Sequence, residues 1–320
     1  MKALIFPGQG SQKVGMAKAM VEAFPWAAEM AARADSILGR RLSEICYNGP
    51  EEELKKTVNT QPAIFLTSAI LTEWLRKNSW EYGATAGHSL GEYNALYAAG
   101  VASFEDLIRL VDVRARAMEE ACPAGTGPTA RIHYEYDAMS AVMMLGREEL
   151  EQVCREASAE GVCQIANYNC PGQLVISGLA AAVKKAGELA TARGARKVVP
   201  LEVSGPFHSP LMQKARDQVA VELEKISFSN ARVPVFCNVD AQPTVAAAEL
   251  KRKLLDQITG SVRYEDAVNN MLTHGVAEFV EVGPGKVLAG LNKKIAPAAN
   301  TAFATDPQTL EQLLQVNQAS

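Results

Sequence analysis

An apolar run at residues 3–6 and a short predicted strand at 83–87 each break into a glycine-bearing turn and then into a helical stretch. This strand–turn–helix unit limits the chain more than any other feature. The first run stops at Pro7-Gly8 and passes through Gly8-Gln9-Gly10-Ser11-Gln12 into a helix with Met16, Met20 and Phe24 on one face. The second ends in Gly87-His88-Ser89-Leu90-Gly91 and feeds a helix over residues 92–99. There Tyr93, Leu96 and Tyr97 keep the helical period and Gly100 suits the C-terminal cap. Residues 62–75 read as a long buried helix. Units of this kind imply an α/β fold, a parallel sheet with helices on both faces.

The middle of the chain departs from that rhythm. Cys122-Pro123-Ala124-Gly125-Thr126-Gly127-Pro128 is rich in turn formers. After it the pattern predicts a strand (140–145), a helix (147–160), two strands around Asn169-Cys170-Pro171-Gly172, a helix (180–193) and a strand (196–201). The order β-α-β-β-α-β is the ferredoxin-like split unit, most simply an inserted subdomain. After Ser204 the alternation resumes, with a strand at 233–239, helices near 247–258 and 264–273, a strand at 278–282, then Gly283-Pro284-Gly285 and a final helix. The expected organisation is a discontinuous large domain (1–127 and 204–320), a small subdomain (139–203) and a loop between them (128–138).

Composition narrows the function. The chain has 320 residues, 48% hydrophobic and 21% charged, with 32 basic against 36 acidic side chains. A net charge of −4 with no basic run is a poor footprint for nucleic acid, so the expected partner is a small molecule or another protein. The six cysteines are scattered without a C-x-x-C pair, as in a chain whose thiols stay reduced. The apolar run before Pro7-Gly8 is only four residues long (3–6), too short for a signal peptide or a membrane span. A soluble, cytoplasmic protein is expected.

Gly87-His88-Ser89-Leu90-Gly91 is a G-x-S-x-G between a predicted strand and a predicted helix, the context in which such a motif lifts a serine out of the backbone. The helix start places N–H groups, that of Leu90 among them, where an oxyanion would form. A serine alcohol needs a base, and there are four histidines. His88 is too close to Ser89 on a tight turn, and His133 and His274 read as surface residues. His208, after Ser204-Gly205-Pro206-Phe207 at the return to the large domain, is the remaining candidate. Arg114 shares a helical stripe with Leu107, Val111 and Met118, so it meets either an internal carboxylate or a substrate anion. The Gly8-Gln9-Gly10 loop fails both nucleotide-binding spacings: Lys13 replaces the third glycine of one, and Met16-Ala17 replace the Lys-Ser/Thr of the other. The Gln9 N–H remains a candidate second oxyanion donor. No metal-ligand spacing is present.

Pro7-Gly8-Gln9-Gly10-Ser11-Gln12, Gly87-His88-Ser89-Leu90-Gly91-Glu92-Tyr93, Gly205-Pro206-Phe207-His208-Ser209 and Glu281-Val282-Gly283-Pro284-Gly285, in this order, resemble the malonyl-CoA:acyl-carrier-protein transacylases of fatty-acid and polyketide synthesis. The resemblance runs from about residue 2 to 290. It implies an α/β-hydrolase-like domain with a ferredoxin-like insert, malonyl-CoA and acyl carrier protein as partners, no cofactor, and a monomer. It also implies Ser89 as the acylated nucleophile, His208 as its base and acid, and the Gln9 and Leu90 N–H groups as the oxyanion hole. Arg114 would pair with the malonyl carboxylate, Phe207 would disfavour a 2-methyl group, and Asn167 would line the site. A backbone carbonyl of the Gly260-Ser261-Val262-Arg263 loop would orient the histidine. The sequence departs from the family at 128–138, which looks inserted, and at Gly260-Ser261, where Ser/Asn-Pro is usual. Alternatives are a trans-acting polyketide acyltransferase, a serine thioester hydrolase and a non-catalytic carrier-binding module.

Overall fold

The computed structural model describes residues 1–122 and 137–318; most of the expected loop at 128–138 lies outside them. Strands β1 (Lys2–Phe6), β2 (Ala84–Gly87), β7 (Val235–Phe236), β9 (Glu278–Val282) and β10 (Asn300–Ala304) form a parallel array in the order β10-β9-β1-β2-β7. The short β8 (Pro243–Thr244) adds an antiparallel edge. The strand expected over 233–239 is regular only at Val235–Phe236, because the chain turns at Asn238 to meet the Ser89 elbow. The C-terminal end is longer than expected, since β10 and a helix at Pro307–Gln318 follow.

The central strand β1 is buried on both faces. Leu4 and Phe6 of β1 join one apolar cluster, and Ala3 and Ile5 join the other. The helices that position the site are α1 (Thr57–Lys77), α2 (Gly91–Ala98), α3 (Phe104–Glu120), α4 (Arg147–Ala157), α5 (Ala180–Ala192), α6 (Ala247–Thr259), α7 (Tyr264–Thr273) and α8 (Val287–Ile295). Helices α1, α2 and α3 pack into the first cluster and α7 and α8 into the second.

Helix α1 begins five residues before the expected start and runs through Pro62. Proline has no N–H to give the carbonyl four residues back. Here the Arg40 guanidinium donates to that carbonyl, Val58 O, at 2.8 Å. The first helix is shorter than its pattern suggests: it begins at Lys18, after Ala17 in the left-handed region (φ 62°), and ends before Pro25 opens the next helix.

Strands β3 (Asp137–Met143), β4 (Cys163–Cys170), β5 (Gln173–Leu179) and β6 (Lys197–Pro200) form an antiparallel sheet in the order β4-β5-β3-β6. With α4 and α5 between strands this is the β-α-β-β-α-β unit the sequence predicts. Helices α4 and α5 cover one face; Met139, Ala166 and Val175 on the other join the first cluster of the large sheet. The two sheets therefore share a core, and a cavity of about 220 Å³ lies between them.

Candidate functional site

The cavity opens at the C-terminal ends of β1 and β2, where both strands give way to glycine turns. The turn after β2 is tight enough to exclude any side chain at its two ends. A Cβ on Gly87 would sit 1.9 Å from the Gly91 carbonyl carbon, and one on Gly91 would sit 2.0 Å from Phe6 O. Between them Ser89 takes φ 52°, a left-handed conformation that costs a non-glycine residue about 1 kcal/mol or more and thrusts its side chain outward. Polar side chains hold the turn: Ser89 N–H donates to Asn238 Oδ1 (2.7 Å), Asn238 Nδ2 donates to Gly87 O (2.6 Å), and Gln257 Nε2 donates to Ser89 O (2.9 Å).

Ser89 Oγ lies 2.7 Å from His208 Nε2. His208 also sits in the left-handed region, at φ 57°. Its Nδ1 is 2.9 Å from Gln257 O. A carbonyl can only accept, so Nδ1 carries the proton and Nε2 presents its lone pair to the serine. Burial, and then the positive charge of Arg114, push the His208 imidazolium down to a pKa of about 3; the Gln257 carbonyl opposes that shift without reversing it. The ring is a neutral base at any pH near 7.

The histidine's hydrogen-bond partner is a backbone carbonyl, as expected, but not one of Ser261, Val262 or Arg263. Of the expected loop only the Gly260 backbone bears on the His208 ring. Ser261 Oγ donates to Ile165 O, Val262 N–H to Ala166 O and Arg263 N–H to Asn238 O, while Tyr168 N–H donates to Val262 O. That loop straps β4 of the small sheet to the large sheet. The carbonyl on His208 belongs instead to the last turn of α6, where carbonyls lack helical partners and are free to accept.

Arg114 is 1% exposed. Its Nη2 donates to Ser89 Oγ (3.0 Å) and Gln257 Oε1 (3.1 Å), and its Nη1 donates to Gln61 Oε1 (2.6 Å). Tyr93 lies under the guanidinium at 5.4 Å from ring centroid to Cζ. Of the two readings the sequence left open, the ion pair is not found: among the described residues no carboxylate comes within 4.0 Å of this arginine. Its Nε has no partner.

Gly8 packs against the elbow, since a Cβ there would meet His88 O at 2.5 Å. This contact brings the Gln9 backbone beside Leu90, and both residues line the cavity. Among the described residues neither N–H donates to a protein acceptor. Phe207 and Asn167 line the cavity too. His88 turns away from the serine to Asn169 Oδ1 (2.8 Å), His274 is exposed, and His133 lies outside the described residues. Among the described residues no cluster of three or more His, Cys, Asp or Glu could hold a metal, and no helix is long and apolar enough to cross a membrane.

Gln257, Asn238, Gln61 and Glu92 were not found from sequence. One of them left a trace: Leu250, Leu254 and Gln257 share the buried stripe of α6, the same polar-on-apolar signal that exposes Arg114.

The sequence profile of the family described as the acyl transferase domain matches residues 3–304. The chain is 43% identical to the malonyl CoA-acyl carrier protein transacylase of Bacillus subtilis (strain 168), over 98% of this chain and 96% of the relative. It is 40% identical to the protein of the same name from Escherichia coli (strain K12), over 98% and 99%. An acyl carrier protein S-malonyltransferase from Vibrio cholerae superposes with a TM-score of 0.92 at 37% identity, covering 98% of this chain and 99% of that one. A malonyl-transacylase solved in complex with its type II PKS acyl-carrier protein also reaches 0.92, at 38% identity and 98% and 99% coverage.

Proposed function

The chain belongs to the acyl transferase domain family, and from that premise we propose that it moves a malonyl group from malonyl-CoA to the phosphopantetheine thiol of an acyl carrier protein, supplying fatty-acid synthesis. The observation that carries this reading is a buried arginine, unpaired with any carboxylate, 3.0 Å from a serine that is itself 2.7 Å from a neutral imidazole. That set suits an acyl thioester with a carboxylate at its far end.

In the first half-reaction His208 Nε2 takes the proton of Ser89 as Oγ attacks the thioester carbonyl. The tetrahedral oxyanion accepts from the unspent N–H groups of Gln9 and Leu90. The C–S bond then breaks, and CoA leaves with the proton from His208. In the second half the carrier thiol gives its proton to His208, its sulfur attacks the malonyl ester, and Ser89 leaves with that proton. Arg114 holds the malonyl carboxylate by charge-assisted hydrogen bonds through both halves. Phe207 and Asn167 bound the acyl chamber. No step calls for a cofactor; malonyl-CoA is a substrate.

The same reading takes residues 1–127 with 204–320 as the catalytic part and 139–203 as an insert that roofs it. The separate four-stranded sheet, one face of which lines the cavity, supports that division. A cytoplasmic monomer completes the reading; light scattering in solution tests its oligomeric half.

Intact-protein mass spectrometry after brief exposure to malonyl-CoA tests the function. A malonyl adduct is expected on the wild type, absent from Ser89→Ala, and lost to the carrier when holo acyl carrier protein is added. An adduct that decays to free malonate with or without carrier makes the protein a hydrolase. No adduct at all leaves a carrier-binding module.

A further inference from the structure

A lone buried guanidinium is costly unless a counter-charge offsets it, and Arg114 has none in contact. The carboxylate placed to act is Glu92, which is 1% exposed and three positions beyond the nucleophile on α2. One side chain separates the two charges. Gln257 Nε2 donates to Glu92 Oε2 at 3.0 Å, and Gln257 Oε1 accepts from Arg114 Nη2 at 3.1 Å. The amide cannot be turned around, because its nitrogen faces three acceptors: Ser89 O, Glu92 Oε2 and Asn238 Oδ1. Asn238 N–H donates to the same Glu92 oxygen at 2.9 Å. A direct ion pair would consume the donors that a substrate needs. One amide away, Glu92 offsets the charge without taking a guanidinium N–H, and Nε stays without a partner.

We propose that Glu92 is the counter-charge of Arg114, held at one amide's distance by Gln257, and that it sets how strongly the cleft prefers an anionic acyl group to a neutral one. The proposal rests on the transacylase reading. Arg114 attracts the malonyl carboxylate and Glu92 repels it. A hold that tightens equally in ground and transition states does not speed the chemistry, so a moderated field suits an acyl group that must be handed on. Glu92 is a positioning and specificity residue; it does not touch the reacting atoms.

Glu92→Gln isolates the charge. Both hydrogen bonds end on Oε2, so an amide oxygen there keeps them and only the negative charge is lost. The measured quantity is the malonyl:acetyl ratio of Ser89 acylation rate constants, read by rapid-quench mass spectrometry with malonyl-CoA and acetyl-CoA. The ratio is expected to rise about five-fold, the order of effect of one charge at moderate dielectric. A ratio that stays constant while both rates fall together is what a merely structural role gives, and it overturns the proposal.

A second arm uses the wild type and needs no variant to fold. Burial raises the Glu92 carboxyl to about 7, so the wild-type ratio should fall as pH rises from 6 to 8.5, whereas a flat ratio overturns the proposal. The groups facing Glu92 are Tyr93 on its own helix, Arg114 on α3, Cys237 and Asp240 beyond β7, and Lys253 and Gln257 on α6. Burial holds Tyr93 near 12 and raises Cys237, so neither titrates in that interval. Changes in His208 act on both substrates and cancel in the ratio. Arg114→Ala separates the two failures. If it keeps the wild-type malonyl preference, the transacylase reading falls; if it loses that preference while Glu92→Gln leaves the ratio unmoved, only the counter-charge falls.

Discussion

Ser89 and His208 are both non-glycine residues held in the left-handed region, yet the protein holds them by different means. The backbone of Ser89 itself is bound within the large sheet's part of the chain, and only the neighbouring His88 ties the turn to β4 of the small sheet, through Asn169. Backbone meets backbone at Gly87 and Gly91, and the side chains of Asn238 and Gln257 bind what is left. The histidine's segment is shared between the sheets. Its ring is held by Gln257 O from α6, while its own carbonyl accepts from Gln164 Nε2, on β4 of the small sheet, at 2.7 Å. Gln164 also reaches Thr259 O at 3.2 Å, so one amide ties the small sheet, the histidine and the end of α6 together. Ser89 is built into the scaffold, and His208 is hung between two parts of it.

The largest effect that bears on this contrast is chemical. Ser89→Ala and His208→Ala should each lower transfer by roughly 10⁶-fold. Only the histidine variant should still gather a malonyl adduct over long exposure, which mass spectrometry will show.

The next effect concerns stability. Gly91→Ala drives a Cβ into Phe6 O and should cost about 3 kcal/mol in denaturant unfolding. Gly205→Ala, in the histidine's segment, meets the side chain of Cys122, its sulfur and more loosely its Cβ, rather than backbone, and should cost about 1 kcal/mol. Equal losses would erase the difference in packing between the two segments.

Gln164→Ala should slow acylation about 10-fold by letting His208 drift, with little change in KM for malonyl-CoA. An unaltered rate would mean that α6 alone places the base.

A further effect is in the pH dependence of folding. The His208 pKa is about 3 in the folded protein against 6.5 unfolded. The unfolded chain therefore binds a proton that the native state refuses, and stability drains away as pH falls from 6.5 towards 3. His208→Gln should lose less stability than the wild type over that interval when both are melted at a series of pH values.

The same contrast governs what could be read from the chain alone. Elbow geometry is local: two glycines, a strand before and a helix after specify Ser89 within five consecutive residues. Arg114 was legible because a cation on an apolar stripe is a contradiction that something must resolve. The four-stranded insert was legible from its own periodicity. The histidine's orienting partner was not, because it is a main-chain carbonyl, and any residue has one. What selects Gln257 is that α6 runs out there and leaves its carbonyls unclaimed, a fact of packing. The helix at 57–77 was shortened in prospect for a related reason: Pro62 reads as a start until Arg40, distant in sequence, takes up the carbonyl it orphans. Glu92 sits beside the motif but gave no hint of what lay across from it.

The place of β1 in the sheet has a consequence for how the protein is made. A ribosome produces β1 first, yet β1 lies between β2 and β9, and β9 begins only at residue 278. At ordinary elongation rates the interval is on the order of tens of seconds. For that time a strand apolar on both faces has one side bare, the kind of edge that recruits the wrong neighbour. Nascent chains should therefore lean on chaperones until β9 has been made. A transcript truncated before that point yields aggregating polypeptide, not a weakened enzyme.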